Sequence, residues 1–100
     1  MNFKNNDLET KLNFALVNIE KNNLEKASNI YKKILKKYPN NFDANFNLGT
    51  ILAKTNNLEK SVELLEKAAI INPNLEKIFN NLGLIYLNLG NTDKALENTK

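Results

Sequence analysis

A spacing of 34 residues constrains this chain more than any single motif in it. Pro39 and Pro73 stand 34 residues apart, and so do the pairs Leu48-Gly49 and Leu82-Gly83. The triplet Glu25-Lys26-Ala27 returns as Glu59-Lys60-Ser61 and again as Asp93-Lys94-Ala95. Asn22-Asn23 returns as Asn56-Asn57 and as Gly90-Asn91. One period held at several independent landmarks marks a repeat architecture. A single closed core built from 100 residues is modest. A stack uses the same residues differently, each unit burying its apolar face on its neighbours.

Between the landmarks, apolar residues recur at steps of three and four, which is helical spacing. Leu8, Leu12, Ala15, Leu16 and Ile19 mark a first helix opening at Asp7 or a neighbour, with residues 1–6 left polar and frayed. Asn22-Asn23 ends it, and Asn23 is placed to cap a second helix with Glu25 in the positive first turn. Leu24, Ala27, Ile30, Tyr31, Ile34, Leu35 and Tyr38 form the stripe of that helix. Pro39 stops it, because the ring removes a donor and disfavours helix in the residue before. Phe42, Asn45, Phe46, Leu48, Gly49 and Leu52 lie on a third helix, broken at Asn56-Asn57. Leu58, Val62, Leu65, Ala68 and Ala69 carry a fourth, ended by Pro73. Leu75, Ile78, Phe79, Leu82, Gly83 and Tyr86 carry a fifth, with Gly90 as its C-cap and Asn91 as the N-cap of a sixth. The sixth starts at Thr92 and is cut off at Lys100. The units are therefore 8–41, 42–75 and 76–100, the last truncated. An N-terminal fragment of a longer protein is the expectation.

Glycine in a helix interior costs about 1 kcal/mol relative to alanine. Gly49 and Gly83 nevertheless sit mid-helix at the same place in their units, where Ala15 stands in the first. A close helix crossing explains this: a larger side chain would not fit. Ala27, Ser61 and Ala95 mark the facing position on the partner helices. Small residues at matched places on consecutive helices describe a helix hairpin.

These residues resemble the tetratricopeptide repeat, a 34-residue helix-turn-helix unit with the pattern W-x2-L-G-x2-Y, then A-x3-F, then P. The middle unit reads Asn45-x2-Leu48-Gly49-x2-Leu52, Ser61-x3-Leu65 and Pro73. The last reads Phe79-x2-Leu82-Gly83-x2-Tyr86 and Ala95-x3-Thr99, ending before its proline. The first reads Lys11-x2-Phe14-Ala15-x2-Asn18, Ala27-x3-Tyr31 and Pro39. The resemblance covers roughly residues 8–100 and about two and a half to three repeats. It implies an all-α fold, a right-handed α-α superhelix of stacked hairpins. Lys11 and Asn18 depart from it, occupying slots that are usually aromatic, and Thr99 replaces an aromatic of the truncated unit. Terminal repeats are often atypical because their outer side faces water.

The catalytic inventory is thin. With no Cys and no His, disulfides, thiolate or imidazole zinc sites and histidine-based triads are excluded. The carboxylates fall mostly at helix starts (Asp7, Glu9, Glu25, Asp43, Glu59, Glu76 and Asp93), where the helix dipole alone attracts acids. No Gly-rich phosphate loop appears. No apolar run approaches the roughly 20 residues of a membrane span, and the N-terminus lacks the apolar core of a secretory signal. The chain is expected to be a cytoplasmic non-enzyme without a cofactor or metal. The net charge is +3 and all 14 basic residues are lysine, a bias that an AT-rich coding sequence accounts for without a nucleic-acid partner. Lys32, Lys33, Lys36 and Lys37 are the densest charge cluster, on the last turns of the second helix, where they complement its negative end as a solvated face.

What remains is a surface. In the family resembled here, the first helix of each pair lines a concave groove. By spacing, the groove residues are Glu9, Leu12, Asn13, Leu16 and Ile19, then Asp43, Phe46, Asn47, Thr50 and Lys54, then Lys77, Asn80, Asn81, Leu84 and Leu87. Amides can hydrogen-bond an extended backbone, and Leu and Phe can receive its side chains. Leu12, Leu16, Leu84 and Leu87 read equally well as core. Some relatives grip an acidic C-terminal tail with lysines, an arginine and asparagines. Asn47 and Lys77 match that set, but Leu12, Leu16 and Asn81 take its other places, so most of the positive charge a carboxylate needs is missing. The expected function is a protein-interaction module or scaffold binding a peptide or partner helix, with no nucleic acid and no membrane as partner. The alternatives are a recruiting arm for an enzyme domain beyond Lys100, self-association through the exposed last unit, and RNA binding by a helical repeat.

Overall fold

The computed structural model describes residues 3–90. Five helices and no strand lie within them: α1 (Phe3–Glu20), α2 (Leu24–Lys37), α3 (Phe42–Lys54), α4 (Leu58–Ile71) and α5 (Glu76–Asn88). The expected sixth helix from Thr92, its N-cap Asn91, and the landmarks Ala95 and Thr99 fall outside the described residues. α1 opens at Phe3, four residues before the expected start at Asp7, so the polar lead-in is not a coil throughout.

The 34-residue period is written into the backbone at three turns. Asn22 (φ 62°), Asn56 (φ 65°) and Gly90 (φ 81°) all adopt the left-handed conformation at repeat-equivalent positions. Asn and Gly are the residues that tolerate it. The first two turns carry the same pair of bonds. Asn22 N–H donates to Ile19 O and Asn23 N–H to Asn18 O (2.9 and 2.7 Å), as Asn56 does to Ala53 O and Asn57 to Leu52 O (3.3 and 2.8 Å). This is the Schellman closure, which satisfies carbonyls that the helix end leaves free. Asn23 does not cap α2 through its side chain as expected. Its amide instead donates to Asn18 Oδ1 at 3.5 Å, across the turn. Asn41 does cap, accepting from the Ala44 N–H at 2.9 Å.

α1 packs on α2 and α3 on α4, while α2 against α3 and α4 against α5 join the hairpins. The apolar residues divide accordingly. One buried cluster joins Ala15, Ala27, Tyr31, Ile34, Ala44, Leu48, Ile51 and Leu64, and another joins Leu65, Ala68, Ile78, Leu82, Ile85 and Tyr86. Each unit thus hides its apolar side on the next one, as a stack requires.

The hairpin crossings fall at the expected small residues. Ala15, Ala27, Gly49, Ser61 and Gly83 are all buried. A Cβ on Gly49 would lie 2.9 Å from Leu65 Cγ and 3.0 Å from its Cδ2, inside the distance carbon atoms tolerate. The Ser61 hydroxyl donates to Gly49 O at 2.6 Å, tying α4 to α3 at the same point. Pro39 and Pro73 follow α2 and α4 closely, as their stop role requires.

Candidate functional site

At about 3.6 residues per turn, Asp43, Phe46, Asn47, Thr50 and Lys54 share one side of α3. Asp43 and Lys54 are exposed, and Phe46, Asn47 and Thr50 are half-buried. Phe46 stacks on Phe42 with ring centroids 5.7 Å apart and planes 7° from parallel. The Thr50 hydroxyl is spent within its own helix, donating to Phe46 O at 2.9 Å.

On the flanking first helices, Glu9, Asn13, Lys77 and Asn80 are exposed and Asn81 is half-buried. The leucines left open between core and surface now divide. Leu12 and Ile19 pack against the first apolar cluster. Leu16, Leu84 and Leu87 are 45%, 61% and 52% exposed, so they are available at the surface of residues 7–90. Leu16 and Leu84 are repeat equivalents of Thr50, which places apolar groups on either side of a central polar one.

Tyr31 was not among the expected site residues. It comes from α2, is fully buried, and brings its hydroxyl to the Asp43 and Asn47 side of α3. Burial pushes its pKa up; the Asn47 amide beside it acts in the opposite sense, and the Asp43 charge adds to the rise. No hydrogen bond of ordinary geometry closes on that hydroxyl. A tyrosine in the pattern's aromatic slot reads as core, and nothing in its spacing distinguishes one whose polar end lies beneath a helix face. Tyr86 holds an aromatic slot on α5 and donates to the Glu66 carboxylate of α4. Burial, then Glu66, drive its pKa above the ordinary tyrosine range.

Two further polar residues were read only as pattern letters. Asn45 stands where the pattern has its tryptophan and is 1% exposed. Its amide donates to Pro39 O at 3.0 Å and to Asn41 O at 2.8 Å, so it braces the turn between α2 and α3. Asn18, 4% exposed in another aromatic slot, donates to Phe14 O at 2.8 Å. Buried amides are tolerable because their donors are taken.

A tetratricopeptide-repeat model matches residues 18–80, and a second matches residues 64–97. The chain belongs to the tetratricopeptide repeat family. No curated protein sequence matches it. Among solved structures, a mutant of MamA superposes with a TM-score of 0.83 at 20% identity, over 92% of this chain and 67% of that one. MamA RS-1, as a double mutant, gives 0.86 at 25% identity over 93% and 52%. A crystal structure of MamA gives 0.83 at 21% over 91% and 53%. The chain therefore spans between about half and two thirds of the length of these proteins. They share its fold, the stacked-hairpin α-α superhelix. Membership in the family supports a protein-interaction scaffold module. No helix among the described residues is long and apolar enough to cross a membrane.

Proposed function

We propose that this chain is a non-enzymatic cytoplasmic module that binds a peptide or partner helix along the surface formed by its first helices. The observation that carries this is the exposure of Leu16 and Leu84 at equivalent positions on α1 and α5, flanking the Phe46–Asn47 face of α3. Exposed leucines recurring at one repeat position offer a partner apolar anchors on both sides of α3. The amides of Asn13, Asn47, Asn80 and Asn81 supply donors and acceptors for a main chain, and Asp43 and Lys77 add one charge of each sign.

The face differs from a site for an acidic tail: Asn47 and Lys77 match that pattern, while Leu12, Leu16 and Asn81 take its other places and leave most of its positive charge missing. The partner suited to it is an amphipathic segment with small apolar anchors, held by Leu16, Phe46 and Leu84 and oriented by amides. The test is capture of partners by the immobilised chain, compared with a Phe46→Ala, Asn47→Ala variant of unchanged melting temperature. Loss of a saturable partner in the variant is the expected result. Retention of every partner would show that this face does not bind.

A further inference from the structure

We propose a second binding site, on the opposite side of α3, for an acidic protein segment that carries an apolar anchor. The site is a cavity of about 610 Å³ between α2, α3 and α4. Its floor is Leu35, Pro39, Leu48, Leu52 and Leu64 with the buried Asn45. Around it stand Lys32 and Lys36 from α2 and Lys60 and Lys67 from α4, against the single carboxylate of Glu63. Asn45, Leu48 and Leu52 share a side of α3 roughly opposite Phe46, Asn47 and Thr50 at about 3.6 residues per turn, so the two sites are physically separate.

The stack, rather than the local sequence, assembles this basic cluster. Lys32 and Lys36 lie one turn apart on α2, and Lys60 and Lys67 lie two turns apart on α4. The consecutive second helices bring the two pairs to one cavity. The run that looked like a uniform solvated face is thereby split. Lys37 lies over the Tyr38 ring at 5.7 Å, while Lys32 and Lys36 turn to the cavity. Lys60 makes an exposed ion pair with Glu63 at 3.5 Å, worth little in water and open to competition from another acid.

Asn45 lines the cavity, and its amide donates to the carbonyls of Pro39 and Asn41, which holds it in place at the floor. The floor is aliphatic, so it offers no ring on which a nucleotide base can stack. A cavity of this size, apolar with few polar groups, falls within the range of small-ligand pockets and receives one or two large apolar side chains. Acidic residues flanking that anchor then meet the lysines, where charge complementarity sets both specificity and encounter rate.

The experiment measures fluorescence anisotropy of a labelled synthetic peptide of alternating Glu, Asp and Leu residues against the purified chain. Binding that weakens about tenfold or more in Lys36→Glu, Lys67→Glu is expected, as desolvated charge pairs are lost and reversed. Both residues are on the surface side of their helices, and an unchanged thermal melt verifies folding. Replacing the peptide leucines by serine should also abolish binding, and Phe46→Ala, Asn47→Ala should leave it intact. Perturbation of the Asn45 side-chain amide resonances on peptide addition is the second readout. The proposal is overturned by absent peptide binding at low salt, by equal binding to the charge-reversed variant, or by equal binding of the serine peptide. Charge-reversal-sensitive binding of anionic phosphatidylserine vesicles or of a single-stranded oligonucleotide in place of the peptide overturns it equally.

Discussion

The crossing of α3 and α4 gives the sharpest quantitative test. Gly49→Ala has two opposed consequences. Alanine is favoured over glycine in a helix interior by about 1 kcal/mol. Its Cβ, however, would come within 2.9 Å of Leu65 Cγ, 3.0 Å of Cδ2 and 3.4 Å of Leu64 Cβ. Carbon atoms rest about 3.5–4.0 Å apart, so the overlap at Leu65 is several tenths of an ångström. Cγ is a branch point close to the backbone, and Leu65 is fully buried, so it cannot swing into solvent. Overpacking of this kind costs about 1–3 kcal/mol. The single variant therefore loses about 0–2 kcal/mol once the helix gain is subtracted, too wide a range to be diagnostic alone. A double-mutant cycle separates the two effects. Leu65→Ala costs about 2–5 kcal/mol through lost burial and a cavity, and it also deletes Cγ and both Cδ atoms. In that background Gly49→Ala keeps its helix advantage and meets only the Leu64 Cβ at 3.4 Å, an ordinary contact. The coupling between the positions should then be about 1–3 kcal/mol, the overlap itself. Urea titration followed by circular dichroism measures all four stabilities. Additivity within about 0.5 kcal/mol would refute the close crossing at Gly49 and with it the reason for a mid-helix glycine.

Other sites yield shorter tests. Asn45→Ala should cost about 1–3 kcal/mol, because the carbonyls of Pro39 and Asn41 lose a buried donor; a melt unchanged from the parent would mean that the amide is idle. Asn56→Gly should be close to neutral, and Asn56→Ala should lose about 1–2 kcal/mol from forcing a Cβ residue without a local hydrogen-bonding group to φ 65°; the reverse order in chemical denaturation would contradict the left-handed turn. Tyr31 and Tyr86 both have pKa values raised by folding. The folded state thus holds their protons more firmly than the unfolded chain does. That stability is fully present below the unfolded value of about 10 and is lost as pH climbs above it. The Tyr31→Phe, Tyr86→Phe variant should show a shallower alkaline loss of stability than the parent, and identical slopes above pH of about 10 would rule the linkage out.

How much of this was legible in the sequence follows from what each feature depends on. Turn positions were legible because chain chemistry alone fixes them: Asn56 tolerates positive φ, and Pro39 and Pro73 cannot extend a helix. The crossing was legible because a glycine at a matched place in two helices has few other causes. Asn18 and Asn45 were not, because an amide in an aromatic slot looks like a weakened pattern until its carbonyl partners are known. Asn45 bonds six residues back to Pro39, through a turn whose path periodicity does not give. The start of α1 was missed because its opening turn has neither an apolar stripe nor an acid to announce it. The basic cavity was hidden for another reason. Lys36 and Lys60 belong to different units, and a reading that treats each helix separately assigns both to solvent.

The same stacking rule explains why α3 stands between both proposed surfaces. In a repeat array the first helix of a unit meets its own partner and the preceding unit. α3 meets α2, α4 and α5, so its apolar contacts hold it from several directions. Ala44, Leu48 and Ile51 carry that load as buried residues, leaving the Phe46–Asn47 side for one surface and the Asn45–Leu52 side for the cavity. Both surfaces are therefore positioned by a helix with little freedom to move. A side chain on a rigid element loses less on binding than one on a loop, since less motion remains to be frozen. The features that depart from the repeat pattern in this unit, Asn45 in place of an aromatic and Ser61 in place of alanine, are the ones that add polar ties, to the α2–α3 turn and to Gly49 O. Polar departures at these two places do not loosen the repeat; they fix the helix on which both candidate binding surfaces stand.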